Sequence, residues 1–134
     1  MEFNWLSRWQ PQVLAILRIV TGLLFLEHAT QKFFAFPVPF PMPGPLPTML
    51  VAAGVIELVA GLLITIGLFT RLAAFIASGQ MAIAYFIGHF PKSVWPVVNM
   101  GEAAILFCFI FLYLAAAGPG AWSVDRARSG ATRR

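Results

Sequence analysis

Apolar side chains fill four long stretches of this chain, 11–36, 48–69, 72–90 and 97–117, and they set the fold before any single residue does. Wound as an α-helix at about 1.5 Å per residue, each reaches or nearly reaches across a ~30 Å hydrocarbon core. Inside lipid the backbone must satisfy its own hydrogen bonds, which leaves helix as the conformation for runs of this kind. Charged residues make up 10% of the chain, and hydrophobic ones 60%. Soluble domains carry about 25% charge. A chain of 134 residues could not bury so much apolar surface in water. The expectation is an all-α membrane protein, with four transmembrane helices in one domain over 1–134. The first run is broken by Arg18 and lacks a small-x-small cleavage pattern after it, so it reads as a retained helix rather than a signal peptide.

The breaks between runs fix the topology. From Pro37 to Pro47 proline stands at every second position, which neither helix nor central strand tolerates, so 37–47 reads as a stiff, extended outer loop. A lid over a polar cavity is the second reading of that loop. Thr70 and Arg71 are nearly the whole connection between the second and third runs, which makes those helices antiparallel neighbours. Pro91–Pro96 separates the third and fourth runs, and Gly118-Pro119-Gly120 ends the fourth, opening a basic tail over 118–134. An up-down-up-down bundle then puts Arg8, Arg71, Arg126, Arg128, Arg133 and Arg134 on one side, with Arg18 nearest to it, and only Lys32 and Lys92 on the other. The positive-inside rule makes that first side, with both termini, cytoplasmic in a multi-pass protein of the cell membrane. Trp5, Trp9, Trp95 and Trp122 fall at the expected interfaces.

Several function classes drop out. The net charge of +4 sits at the ends of apolar runs rather than in a patch, so no nucleic-acid partner is expected. A single cysteine, Cys108, excludes a disulfide or a thiolate cluster within the chain and reads as a small hydrophobe. There is no nucleotide loop, no serine-hydrolase elbow and no iron–sulfur spacing. His28 and His89 differ in expected depth by roughly 10 Å, which argues against one haem between them. No Glu-x-x-His spacing marks a carboxylate-bridged metal site, and no metal is expected.

The polar residues inside the apolar runs point to a site. Glu57 stands in a strip of small residues, with Ala53, Gly54, Ala60 and Gly61 on its face, where a neighbouring helix can come close. A charge at such depth costs about 2.5–3.5 kcal/mol, so a use for it is the default. Glu27 falls at a similar depth and Glu102 nearer the outer surface. Gln31 shares the face of Glu27, Asn99 that of Glu102, and His89 ends the third run. The expected site is a carboxylate pocket in the outer half of the bundle, built from Glu27, His28, Gln31, Glu57, His89, Asn99 and Glu102, with Arg18 and Lys32 as supporting charges. Three carboxylates so placed would force at least one to keep its proton. The plainer reading is that each glutamate hydrogen-bonds helices together.

The order of short motifs resembles the DoxX family of small four-helix membrane proteins. The likeness rests on Leu17-Arg18, Gly22-Leu-Leu-Phe25, His28-Ala-Thr-Gln-Lys32-Phe33, Glu57-Leu-Val-Ala-Gly61, Gly67-Leu-Phe-Thr-Arg71, His89-Phe-Pro91, Gly101-Glu102 and Gly118-Pro-Gly-Ala-Trp-Ser-Val-Asp125. It runs from about Leu17 to Arg126. Ala29 stands where the family often has glycine, and the proline loop is a departure. The resemblance implies a membrane subunit of, or accessory to, a quinone-linked or stress-response redox system, with a quinone as ligand and a redox partner protein. It carries Arg18, His28, Gln31, Lys32, Glu57, His89 and Glu102 as recurring polar residues. The alternative is a non-enzymatic small-molecule binder, transporter or assembly subunit using the same pocket.

Overall fold

A computed structural model describes residues 3–132; Arg133 and Arg134 lie outside the described residues. The chain runs α1 (Asn4–Ser7), α2 (Gln10–Phe34), α3 (Thr48–Ile66), α4 (Thr70–Gly88), a 3₁₀ turn (Phe90–Lys92), α5 (Pro96–Asn99), α6 (Glu102–Ala117) and α7 (Val124–Thr132). The described residues form helices and connectors, with no strand. Three helical segments, Gln10–Phe34, Thr48–Ile66 and Thr70–Lys92, are long and apolar enough to cross a membrane, and Glu102–Ala117 is a shorter apolar helix.

Local chemistry sets these ends. Pro11 occupies the first turn of α2, where its missing N–H goes unneeded. The helix stops at Ala35, in the left-handed region, just ahead of Pro37. Gly67, with φ 75°, closes α3 in the conformation that glycine enters without strain. The expected unbroken helix over 97–117 is corrected. Met100 adopts φ 62°, and the chain turns there between α5 and α6. Asn99 Oδ1 accepts the Gly101 N–H at 2.8 Å, which stabilises the break. Gly101 lies so close to Tyr85 that a Cβ would come within 2.6 Å of its ring.

Two helix pairs form the body. In the α2–α3 pair Gly22 abuts Thr65, Leu26 abuts Gly61 and Phe33 abuts Gly54, so small residues let the two backbones approach. In the α4–α6 pair, the buried Ala73, Ala74 and Ala77 lie on the inner face of α4, and Ser78 Oγ donates to the Cys108 carbonyl at 2.7 Å. Between the pairs sit Phe25, Ile64, Met81, Phe111 and Leu114, with the Phe25 and Phe111 rings edge to face at 4.8 Å. Large apolar side chains such as Val55, Val59, Phe75, Phe86 and Phe109 point outward and are exposed, as lipid contact requires.

The end of the bundle opposite the proline loop is tied by the C-terminal segment. Arg18 is fully buried, and its guanidinium donates to the carbonyls of Pro119 at 2.6 Å and Trp122 at 2.9 Å. Arg18 is thus a brace for this segment and does not support Glu57. Arg71 donates to the carbonyls of Ala115 and Ala116 in the last turn of α6, where a cation complements the helix dipole. Asp125, expected in a plain polar tail, lies at the start of α7, and its carboxylate accepts the N–H groups of Phe69 (2.8 Å) and Thr70 (2.9 Å). It caps α4 from a distant part of the chain.

Burial alone would push the Asp125 carboxyl up, but the N–H groups of Thr70 and Phe69, with the nearby Arg128 charge, hold it below its ordinary range. A depressed carboxylate contributes stability above its unfolded value, about 3.9, and loses it as pH falls through the folded value. Asp125→Asn is therefore expected to lower stability by about 1 kcal/mol at neutral pH, as loss of a helix cap does. Its thermal midpoint in detergent should then fall less steeply below about pH 4 than that of the parent chain. Parallel pH profiles for the two proteins would contradict this account of the cap.

Candidate functional site

Glu57 belongs to the buried face of α3, with Gly54, Ala60, Gly61 and Ile64. Across from it, Lys32 lies in the last turn of α2. The Lys32 ammonium donates to both Glu57 oxygens, at 3.0 and 2.7 Å. Only 7% and 4% of the two side chains is exposed, so this is a buried ion pair. From α4, Gln80 Nε2 donates to Glu57 Oε1 at 3.3 Å. A carboxylate can only accept, so the Gln80 nitrogen must face it, and Gln80 Oε1 is left buried with no partner among the described residues. Three helices thus meet at one carboxylate. Phe40 of the proline loop covers the pair, with Lys32 Nζ 5.5 Å from its ring centre.

Beside this triad a groove of about 680 Å³ runs between α3 and α4. Its walls are apolar, with Leu50, Ile56, Ile76, Ile83 and Ile87, and Phe40 stands at its edge. Gln80 and His89 are its polar groups. His89 stacks on Tyr85, and its Nδ1 lies 3.0 Å from the Asn99 carbonyl oxygen. A carbonyl accepts, so Nδ1 carries the proton there and Nε2 of the neutral ring is an acceptor. Asn99 is fully buried, and its Nδ2 donates to the Tyr85 hydroxyl and to the Ser93 carbonyl. It holds His89 in place rather than lining the groove.

The expected pocket of three carboxylates is corrected. Glu27 and Glu102 are exposed, while Glu57 is buried among other partners. Glu27 and Lys32 are five positions apart, about 140° around a helix, so both cannot face α3. Glu102 opens α6 beyond the break at Met100 and does not share a helix with Asn99. His28 is exposed on α2, its ring edge against Phe107 at 5.9 Å, and Gln31 is half-buried. No group of three metal-ligating side chains occurs among the described residues. Lys32, expected as a supporting charge, is instead the direct partner of Glu57. Gln80, Tyr85 and Phe40 complete the arrangement. A neutral amide inside the third apolar run was the one available sign of Gln80.

Comparison with known proteins places these residues among relatives. The family model described as DoxX matches residues 13–90, which include Lys32, Glu57, Gln80 and His89. A protein of Haemophilus influenzae described as uncharacterized is 42% identical over 127 residues, covering 91% of this chain and 95% of the relative. A Mycobacterium tuberculosis protein described as an uncharacterized membrane protein is 31% identical over a 135-residue alignment, covering 87% of this chain and 80% of the relative. No solved structure matches.

Breaking a buried ion pair from one side leaves an uncompensated charge and costs about 3–5 kcal/mol, whereas replacing both partners by apolar groups is often nearly neutral. Lys32→Ala and Glu57→Ala should each lower the unfolding midpoint in lipid nanodiscs sharply, and Lys32→Met with Glu57→Leu should recover most of the loss. Additive losses in the double variant would show that the two side chains do not act as a pair.

Proposed function

The chain belongs to the DoxX family of membrane proteins, and on that premise we propose that it binds a lipophilic, ring-bearing molecule of the quinone type in the groove between α3 and α4. We read the chain as one membrane domain with four spans running up-down-up-down. Contacts that descend along α3 as they ascend along α2, from Gly22–Thr65 to Phe33–Gly54, support opposed directions for that pair. Ser78–Cys108 and Arg71–Ala115 support the same for α4 and α6. At 16 residues α6 covers roughly 24 Å, and the exposed Val97, Val98 and Met100 extend its apolar surface toward the proline loop. Arg8, Arg71, Arg126 and Arg128 belong to the opposite end, which we take as cytoplasmic in the cell membrane, with the proline loop outside.

The observation that carries the ligand reading is the groove itself: apolar walls for a ring and tail, with an amide and an imidazole for polar substituents. His89 can accept or return a proton at its Nε2, which suits a ligand whose oxygens gain protons as they gain electrons. Electrons would come from a redox partner protein or a soluble reductant, since the reading assigns this chain no electron carrier. The engagement of Glu57 by Lys32 and Gln80 favours a second, plainer reading, in which the groove binds or carries a small molecule and the charged triad only holds the helices.

Organic extraction of the protein purified from native membranes is expected to release quinone at near one equivalent. Gly79→Phe, filling the α4 wall of the groove where an added Cβ would meet no other side chain of the described residues within 4 Å, should reduce that at least tenfold while the protein stays folded. Quinone absent from the parent protein, or unchanged in Gly79→Phe, would exclude the quinone reading of the groove. Flux of a small molecule in proteoliposomes without quinone would favour the carrier reading.

A further inference from the structure

Glu27 presents a problem that its own chain does not solve. It is exposed on α2, on the side away from the buried Gly22, Phe25 and Ala29. Its neighbour Leu26 packs on Gly61, which lies roughly 20 Å along α3 from Thr48. Glu27 is therefore well inside the apolar girdle, with exposed Leu23 and Leu24 one turn to one side and exposed Phe34 on the other. The ion pair recorded among the described residues joins Lys32 and Glu57 and leaves Glu27 without a counter-ion. A carboxylate facing lipid at such depth costs about 2.5–3.5 kcal/mol.

The sequence around it has the spacing of a helix seam. Val13, Leu17, Val20, Leu24, Glu27, Gln31 and Phe34 follow one another at alternating steps of four and three. The apolar members are all exposed. That is the a/d pattern by which two helices pack knobs into holes at a shallow crossing angle. Its polar members are self-complementary. Glu27 accepts hydrogen bonds, and Gln31, one turn further on the same face, donates two. We infer that α2 of a second copy covers this face in a two-fold symmetric dimer whose axis runs along the membrane normal. Symmetry then makes the polar contact twice, Glu27 of each copy receiving the Gln31 amide of the other. A different protein would have to supply its own donor at this depth, whereas the chain already carries one. His28 lies toward α6 and stays with Phe107 in its own protomer. The inference stands apart from the groove, which lies between α3 and α4.

The test uses the full chain in proteoliposomes, in a Cys108→Ala background. Leu24→Cys on the seam should cross-link to a dimer upon oxidation, and Val59→Cys on the exposed face of α3 should not. Two differently tagged copies, coexpressed, should co-purify, and Glu27→Leu combined with Gln31→Leu should reduce their co-capture at least tenfold. Cross-linking at Leu24→Cys no greater than at Val59→Cys would overturn the proposal without any appeal to the leucine variants. So would co-capture unaffected by the double substitution. A single copy bound to an unrelated protein through Glu27 would overturn it in favour of that protein.

Discussion

The buried contact between the Lys32 ammonium and the Glu57 carboxylate is the interaction on which the proline-loop end of the molecule depends. Neither charge would be tolerable alone at its position, and each makes the other so. The contact works because small residues flank it. Gly54 admits Phe33, and Gly61 admits Leu26, so α2 and α3 approach closely enough for a lysine side chain to reach a glutamate on the next helix. Gln80 then brings α4 to the same carboxylate. A charge that looks costly in one helix is thus the point where three are joined.

The groove is a consequence of the same arrangement. α3 turns its small, polar face toward α2 and leaves Leu50 and Ile56 toward α4. α4 turns its alanine face toward α6. What remains between α3 and α4 is a cleft with isoleucine walls and an open glycine at Gly79. The small residues on the facing sides, Ala52, Ala53, Gly79 and Ala84, leave the space, and the isoleucines between them hold the two backbones apart.

How much of this was legible in the sequence depends on which physical quantity each feature needs. The long apolar runs needed only length and hydropathy, and three of them correspond to helices fit to span a membrane. The cost of Glu57, and its face of small residues, could also be read directly. Its partner could not, because pairing depends on rotation about the helix axis. Glu27 and Lys32 both stood in the right run, and nothing in the run says which of them faces α3. Depth alone grouped Glu27 and Glu102 with Glu57; orientation separates them. The turn at Met100 is not legible because a non-glycine residue in the left-handed region carries no sequence mark, and the Asn99 side chain that stabilises it also reads as an ordinary helix residue. Asp125 was hidden for another reason. It caps a helix that begins 55 positions earlier, and capping signals are read within a few residues of the helix they serve.

The two ends of the bundle are fastened in different ways, and this bears on where function can vary. At the tail end the fastening groups meet backbone: Arg18 and Arg71 donate to carbonyls, and Asp125 accepts from amides. Substitution cannot remove the backbone half of such a contact, so the end tolerates change in the residues it holds. At the proline-loop end side-chain pairs join the backbone contacts, Lys32 with Glu57, Gln80 with Glu57, Asn99 with Tyr85, beside His89 with the Asn99 carbonyl. There a change on either side alters the contact. The groove opens beside these contacts, with Gln80 held at Glu57 and His89 held by the Asn99 carbonyl and the Tyr85 ring. A change of ligand within this fold would therefore be achieved at the loop end, by exchanging partners around Gln80 and His89, while the tail end keeps the helices in register.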